Sequence, residues 1–213
     1  MAQTRGYSMG RRAAAAAQTR DQILDVAADL LTARWYDDVT LADIARAAEV
    51  SQQTVANHFG SKERLYLAAL SERVGPSINV LRREAAVGDV ESIVSVAVRA
   101  YEEWGPATVR MLALAERYPA LTEAARLGRT AHRIWIEEAF APQLAAVAGE
   151  AREELVRLLA TVLDVYSWHQ LRHDEHRDAE ETTHDLGRLV ASVLSTATGV
   201  VAFGEGGGNT PVS

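Results

Sequence analysis

The 213-residue sequence contains no cysteine. Disulfides and thiolate metal sites are thereby excluded, and a reducing cytoplasm is the simplest setting. Long hydrophobic runs are missing too, since no stretch approaches the ~18 apolar residues of a membrane span. Proline is scarce, with five in the whole chain, and the apolar-polar alternation of half-buried strands does not occur. Arg11-Arg12 followed by five alanines superficially resembles an export signal. That apolar stretch is too short and runs directly into Gln18-Thr19-Arg20-Asp21, so the reading is rejected.

What is present is ample apolar material, 48% of residues, enough for a sizeable core. The net charge of −7 is unevenly spread. In residues 1–70 eight basic groups are matched by eight acids, so the whole deficit falls on residues 71–213. The first 20 residues hold four arginines and no acid. A positive arm and neutral head on an acidic body is the pattern expected when only one end meets phosphate.

Apolar residues recur at helical spacing throughout, which predicts an all-α fold of about nine helices. Ile23, Leu24, Ala27, Leu30 and Leu31 form one face of a first helix starting near Thr19 and ended by Trp35-Tyr36-Asp37-Asp38. Thr40 is an N-cap, with Asp43 placed to complete a capping box, and a short helix follows with Leu41, Ile44, Ala45 and Ala48 inward. Ser51 caps a third helix reaching about Phe59. Ser61 caps a fourth, with Glu63 in the first turn where the helix dipole favours an anion, before Gly75-Pro76. Longer helices are expected at about 89–104, 107–117, 121–147, 151–173 and 179–203. The boundaries read as a flexible basic arm at 1–18, a helix-turn-helix head at 19–66, a body at 67–203 and a disordered tail at 204–213.

Residues 40–62 read TLADIARAAEVSQQTVANHFGSK. Two short helices flank a turn at Glu49-Val50, with the small Ala45 where they cross and Val50 and Val55 plugging the angle. The outward face of the third helix is then Gln52, Gln53, Thr54, Asn57 and His58, polar side chains able to bond base edges as Gln and Asn do with adenine. Thr40, Ser51 and Lys62 stand at helix starts, where hydroxyl, backbone N–H and ammonium groups grip phosphate.

From Thr19 to Leu70, and above all in Val50-Ser51-x-x-Thr54-x-x-x-His58-Phe59-x-Ser61-Lys62-Glu63, the sequence resembles the head of the tetracycline-repressor (TetR) family. The resemblance implies a homodimer that binds a palindromic double-stranded DNA operator, releases it when a small molecule enters each body, and represses. By position it implies base reading by Gln52, Gln53, Thr54 and Asn57, and backbone contacts from Thr40, Ser51, His58 and Lys62. Two positions depart from the family's pattern. Ala56 stands where the family often has Tyr, removing one usual DNA contact. Glu49 replaces the common turn Gly, so a side chain there must adopt positive φ at a cost of ~1 kcal/mol. Lys62 is the only lysine beside many Ala and Arg, a composition that points to GC-rich coding and a bacterial source.

In the body, Tyr101, Trp104, Met111, His132, Trp135 and Trp168 are candidates to line a largely apolar effector pocket, with an Arg or Glu as an unidentified polar anchor. Leu155, Leu159, Val162 and Tyr166, followed by Leu186, Leu189, Val190 and Val193, form two stripes broader than one neighbour requires. They are the candidate dimer interface.

Three further readings compete. An activator of the same fold differs only in where its operator lies. A helical protein-interaction module would use the same head without DNA. An enzyme would need a site: His169, His173 and His176, with Asp174, Glu175 and His184 nearby, have spacing suited to zinc, but the HExxH arrangement with its catalytic Glu is absent. Nucleophile-elbow and phosphate-loop motifs are absent as well, and Glu102-Glu103, Glu137-Glu138 and Glu180-Glu181 are adjacent pairs that diverge around a helix. No catalytic residue, metal or cofactor is expected.

Overall fold

The protein is described by a computed structural model that covers residues 3–197. It is built of helices, and among the described residues there is no strand. α1 spans Gln3–Ala33 and is followed by a 3₁₀ turn at Tyr36–Asp38, α2 at Leu41–Ala47, α3 at Gln52–Phe59 and α4 at Lys62–Ala69. A π-helical turn, Leu70–Val74, leads into α5 at Gly75–Arg82. Then come α6 at Val90–Ala113, α7 at Pro119–Ala139, the one-turn α8 at Ala141–Leu144 and α9 at Gly149–Val162. α10 at Val165–His169 passes through a second π turn, Gln170–Asp174, and α11 is Ala179–Ala197.

Several boundaries differ from expectation. The segment expected as a flexible arm is helical from Gln3, continuous with the first predicted helix. Five consecutive alanines and straight-chain neighbours have strong helix propensity, opposed chiefly by Gly6 and Gly10. The expected break at Gly105-Pro106 is absent, because α6 runs through Pro106. A residue before proline resists the α region largely through its Cβ, and Gly105 has none. α7 stops before Pro142, which begins α8. The helix expected at 151–173 divides at Leu163-Asp164, where the Asp164 carboxylate accepts from Tyr166 N–H at 2.9 Å and caps a new start. Gly75-Pro76 does not end the fourth helix. The π turn carries it onward, with Gly75 N–H reaching the Leu70 carbonyl. The end of the last predicted helix, 198–203, and the expected tail 204–213 lie outside the described residues.

The chain divides into two compact units, with the division falling inside α6 and α7. The first comprises residues up to Ala85 with Val96–His132, so the head does not separate at residue 66. Its core joins Ile23, Leu24 and Ala27 of α1 to Ile44, Ala45, Val55, Phe59, Leu65 and Tyr66, and extends to Leu121 and Ala124 of α7. Each large apolar side chain fully removed from water contributes about 1.5–3 kcal/mol. The second unit comprises Ala86–Ser95 with the residues from Arg133 onward, and buries Ile93, Ile136, Phe140, Leu144, Leu155, Leu159, Trp168, Leu186 and Val190. Among the described residues no helix is long and apolar enough to cross a membrane.

Candidate nucleic-acid interface

α2, α3 and α4 each begin on a side-chain cap. The Asp43 N–H donates to Thr40 Oγ1 at 3.1 Å, while Thr40 N–H and hydroxyl donate to Asp43 Oδ2 at 3.0 and 2.6 Å. This closes the predicted capping box. The hydrogen bonds from the Thr40 hydroxyl and backbone hold the Asp43 carboxyl below its ordinary range, and Arg46 reinforces the effect as an ion pair. At α3, Thr54 N–H donates to Ser51 Oγ at 3.0 Å, and at α4, Arg64 N–H donates to Ser61 Oγ at 3.3 Å.

The turn between α2 and α3 sets their angle. Val50 N–H donates to the Ala45 carbonyl at 2.9 Å, and Glu49 takes φ 53°, the left-handed conformation expected of this position. Ala45 is buried at the crossing, while Val55 and Phe59 anchor α3 in the core. With that face fixed, Gln52, Gln53 and Asn57 are exposed, and Thr54 and His58 are half-exposed. Gln53 Nε2 donates to Asn57 Oδ1 at 2.8 Å, so two expected base readers form one planar amide pair on the outer face. Thr40 and Ser51 are also exposed.

Lys62 sits differently from the others. It is half-buried, its ammonium 3.8 Å from the centroid of the Tyr36 ring and donating to the Tyr36 carbonyl. Desolvation lowers its pKa, opposed by Asp37, Glu63 and Asp38. The Tyr36 hydroxyl donates to Glu63 Oε1 at 3.4 Å, and its ring stands edge-on to Tyr66 at 5.3 Å. In sequence Tyr36 marks only the end of the first helix, and the signal for its further role is an aromatic residue beside an Asp-Asp pair.

The candidate effector residues are divided between the two units. Tyr101, Trp104, Met111 and His132 belong to the first unit, Trp135 and Trp168 to the second, where both are buried. Trp104 and Met111 line one cavity of the first unit. His132 Nδ1 lies 3.3 Å from the Arg82 guanidinium, a contact the sequence did not suggest. The histidines considered for zinc include a stacked pair, His169 and His173, with ring centroids 4.5 Å apart. Among the described residues no group of three or more potential ligands is arranged to hold a metal.

The candidate dimer stripes split in two. Leu155, Leu159, Leu186 and Val190 are buried within their own unit, where α9 packs on α11. Val162 and Val193 are half-buried, and Tyr166 and Leu189 are exposed. Leu158, on the same stripe of α9, is exposed as well.

The fold and head together define an all-α helix-turn-helix protein. Residues 23–69 match the family described as bacterial regulatory proteins, tetR family. The HTH-type transcriptional regulator AlkX of Mycobacterium tuberculosis is 41% identical over 69 residues, which cover 31% of this chain and 33% of that protein. The matched segment thus spans about a third of the relative's length. Beyond the head the likeness is one of fold. A tetR-family transcriptional regulator from Streptomyces coelicolor superposes with a TM-score of 0.66 at 20% identity, covering 85% of this chain and 82% of that one. The SmeT–triclosan complex gives 0.60 at 22% identity, covering 92% and 100%. Residues 23–69 thus form a helix-turn-helix head of the TetR type, and the chain as a whole shares the fold of these regulators.

Proposed function

We propose that the chain is a ligand-responsive transcriptional repressor that acts in the cytoplasm and binds a palindromic operator as a homodimer. The observation that carries this reading is α3: two buried anchors, Val55 and Phe59, fix a face of exposed, uncharged Gln52, Gln53 and Asn57. Amide side chains in the major groove discriminate bases, while Thr40, Ser51, His58 and the remaining N–H bonds of Lys62 hold phosphate oxygens. One head covers a half-site, so two must be held about 34–36 Å apart. Exposed Leu158, Tyr166 and Leu189, with half-buried Val162 and Val193, supply an apolar face for that pairing.

Release follows if the effector favours a state whose heads are spaced wrongly for successive major grooves, limited by its differential affinity for the two states. The helical run from Lys62 to about Leu81 carries the coupling because it packs on α1. SmeT, which shares the fold, forms a complex with triclosan, a largely apolar molecule of the kind proposed here.

The test is selection of genomic fragments by the purified protein, with and without cell extract, followed by footprinting. A protected palindrome lost on adding extract supports the repressor. A protected site that the extract enhances favours the activator. No selected sequence, or binding insensitive to salt, moves the head to protein partners.

A further inference from the structure

The first unit contains a cleft of about 40 Å³ that is partly open and bounded by α1, α4, the first π turn and α6. Its walls include Thr32, Tyr66, Val74, Trp104, Thr108 and Met111, and none of its nine lining residues is charged. Trp104 Nε1 is buried and has no hydrogen-bond partner among the described residues. A buried donor left unpaired is costly, which marks the spot as one that some acceptor fills.

Of the three hydroxyl-bearing residues in the wall, Thr32 and Thr108 do not supply that acceptor to each other. Thr32 donates to the Ala28 carbonyl at 2.7 Å and Thr108 to the Trp104 carbonyl at 2.9 Å. Their hydrogens are committed, and only lone pairs remain. The cleft thus offers one unpaired indole N–H, the lone pairs of two threonine hydroxyls, the Tyr66 phenol and an otherwise apolar wall. No side chain in the wall is charged, and the neighbouring Arg110 guanidinium is engaged with the Thr32 carbonyl behind it, so an ionic group in the cleft would be desolvated without a direct counter-charge. The volume admits roughly one or two water-sized groups, the oxygen-bearing end of a small molecule.

We propose that this cleft is a subsite for a small neutral molecule with a carbonyl or hydroxyl oxygen on a short alkyl body, its oxygen accepting from Trp104 Nε1. Its position also makes it a sensor. Thr32 belongs to the helix that forms the floor of the helix-turn-helix core, and its carbonyl receives the Arg110 guanidinium of α6. Val74 belongs to the π turn, where Gly75 is already tight: a Cβ there would lie 3.1 Å from the Leu70 carbonyl oxygen. An occupant therefore touches the head's own helix and the irregular turn at once. The sensing role rests on the repressor reading, but the binding does not.

The test uses the ¹⁵N-labelled full chain without DNA, titrated with butan-2-one and with butan-1-ol, and with butyrate and butylammonium as charged counterparts. The Trp104 indole signal is assigned by its loss in Trp104→Phe. The expected result is a saturable shift of that signal alone among the four tryptophans, accompanied by amide shifts at Thr32 and Val74. For molecules this small the expected Kd is about 1 mM. Ala107→Leu, which fills the cleft from α6, weakens both neutral probes about tenfold or more. Should that variant not fold, Met111→Phe fills the same space. No saturable shift, equal response to the charged probes, or undiminished binding in a folded filled variant overturns the subsite. So does an indole proton in contact with an ordered water that no probe displaces. Because no DNA is present, failure of operator binding leaves this result intact.

Discussion

Lys62 places its ammonium 3.8 Å from the centre of the Tyr36 ring while donating to the Tyr36 carbonyl. One residue thereby ties the start of α4 to the turn between α1 and α2. An ammonium has three donors, and the contact with Tyr36 leaves others directed outward. Lys62→Met keeps the aliphatic stem and removes the charge. Losing the cation–π contact is expected to lower stability by about 1 kcal/mol, read as a fall in midpoint temperature. If Lys62 also meets one phosphate, the slope of log affinity against log salt falls by about 0.9 for every duplex tested. Lowered stability with an unchanged slope would assign Lys62 to the folding of the head alone.

Gln53 and Asn57 bond each other at 2.8 Å, so neither amide is a wholly independent reader. Asn57→Ala removes one reader and releases the other. Competition binding against operators altered one base pair at a time is expected to show about 1–3 kcal/mol of lost discrimination at the positions these residues face. Affinity for unrelated duplex should hardly change, because phosphate contacts are untouched. Uniform weakening on all sequences would show that α3 does not read bases through this pair.

The capping box makes the head sensitive to acid. Asp43, Glu63 and Glu72 are all held below their ordinary values, by Thr40, by Ser61 and by Arg20 respectively. A carboxylate whose folded-state pKa is depressed stabilises the fold above its unfolded value, and that stabilisation is lost as pH falls through the folded value. The difference in melting temperature between the parent chain and Asp43→Asn should therefore be steady from neutral pH down to Asp43's ordinary value of 3.8, then shrink below it. A difference that instead grows in acid would contradict this.

The head was legible because short-range rules govern it. Thr40, Ser51 and Ser61 announce helix starts chemically, and Ala45, Val55 and Phe59 show the 3.6-residue period of a buried face. The body was less legible because its irregularities depend on packing. Gly105 lets Pro106 sit inside α6, Asp164 restarts a helix, and the π turn before Gly75 replaces an expected end. Broad apolar stripes on α9 and α11 likewise do not reveal from periodicity that Leu155 and Leu159 face inward while Leu158 faces out.

Glu49 was legible in a different way, as a residue where glycine is easier. Its φ of 53° strains an L side chain, and its exposure means that no packing is lost on removing it. Glu49→Gly is expected to change stability by less than 1 kcal/mol, with relief of strain set against the greater freedom of glycine in the unfolded chain. Glu49→Val should cost more, because a β-branched side chain tolerates this conformation poorly. Equal melting temperatures for the glycine and valine variants would remove backbone strain as the reason for the family's usual glycine.

The exposed face of the second unit makes the strongest demand on assembly. Leu158, Tyr166 and Leu189 are 42%, 50% and 47% exposed, so charging two of them leaves the unit's own core intact. Leu158→Glu combined with Leu189→Glu is expected to keep its helical circular dichroism yet give a monomer mass by light scattering at micromolar concentration. Operator affinity should then fall steeply, because two half-sites are no longer engaged by linked heads. Leu159→Glu offers the contrast: that residue is fully buried, and an unpaired carboxylate in the core should unfold the unit rather than separate two copies. A double variant that remains dimeric would place the interface elsewhere, and a parent chain that is itself monomeric would remove the palindromic-operator reading with it.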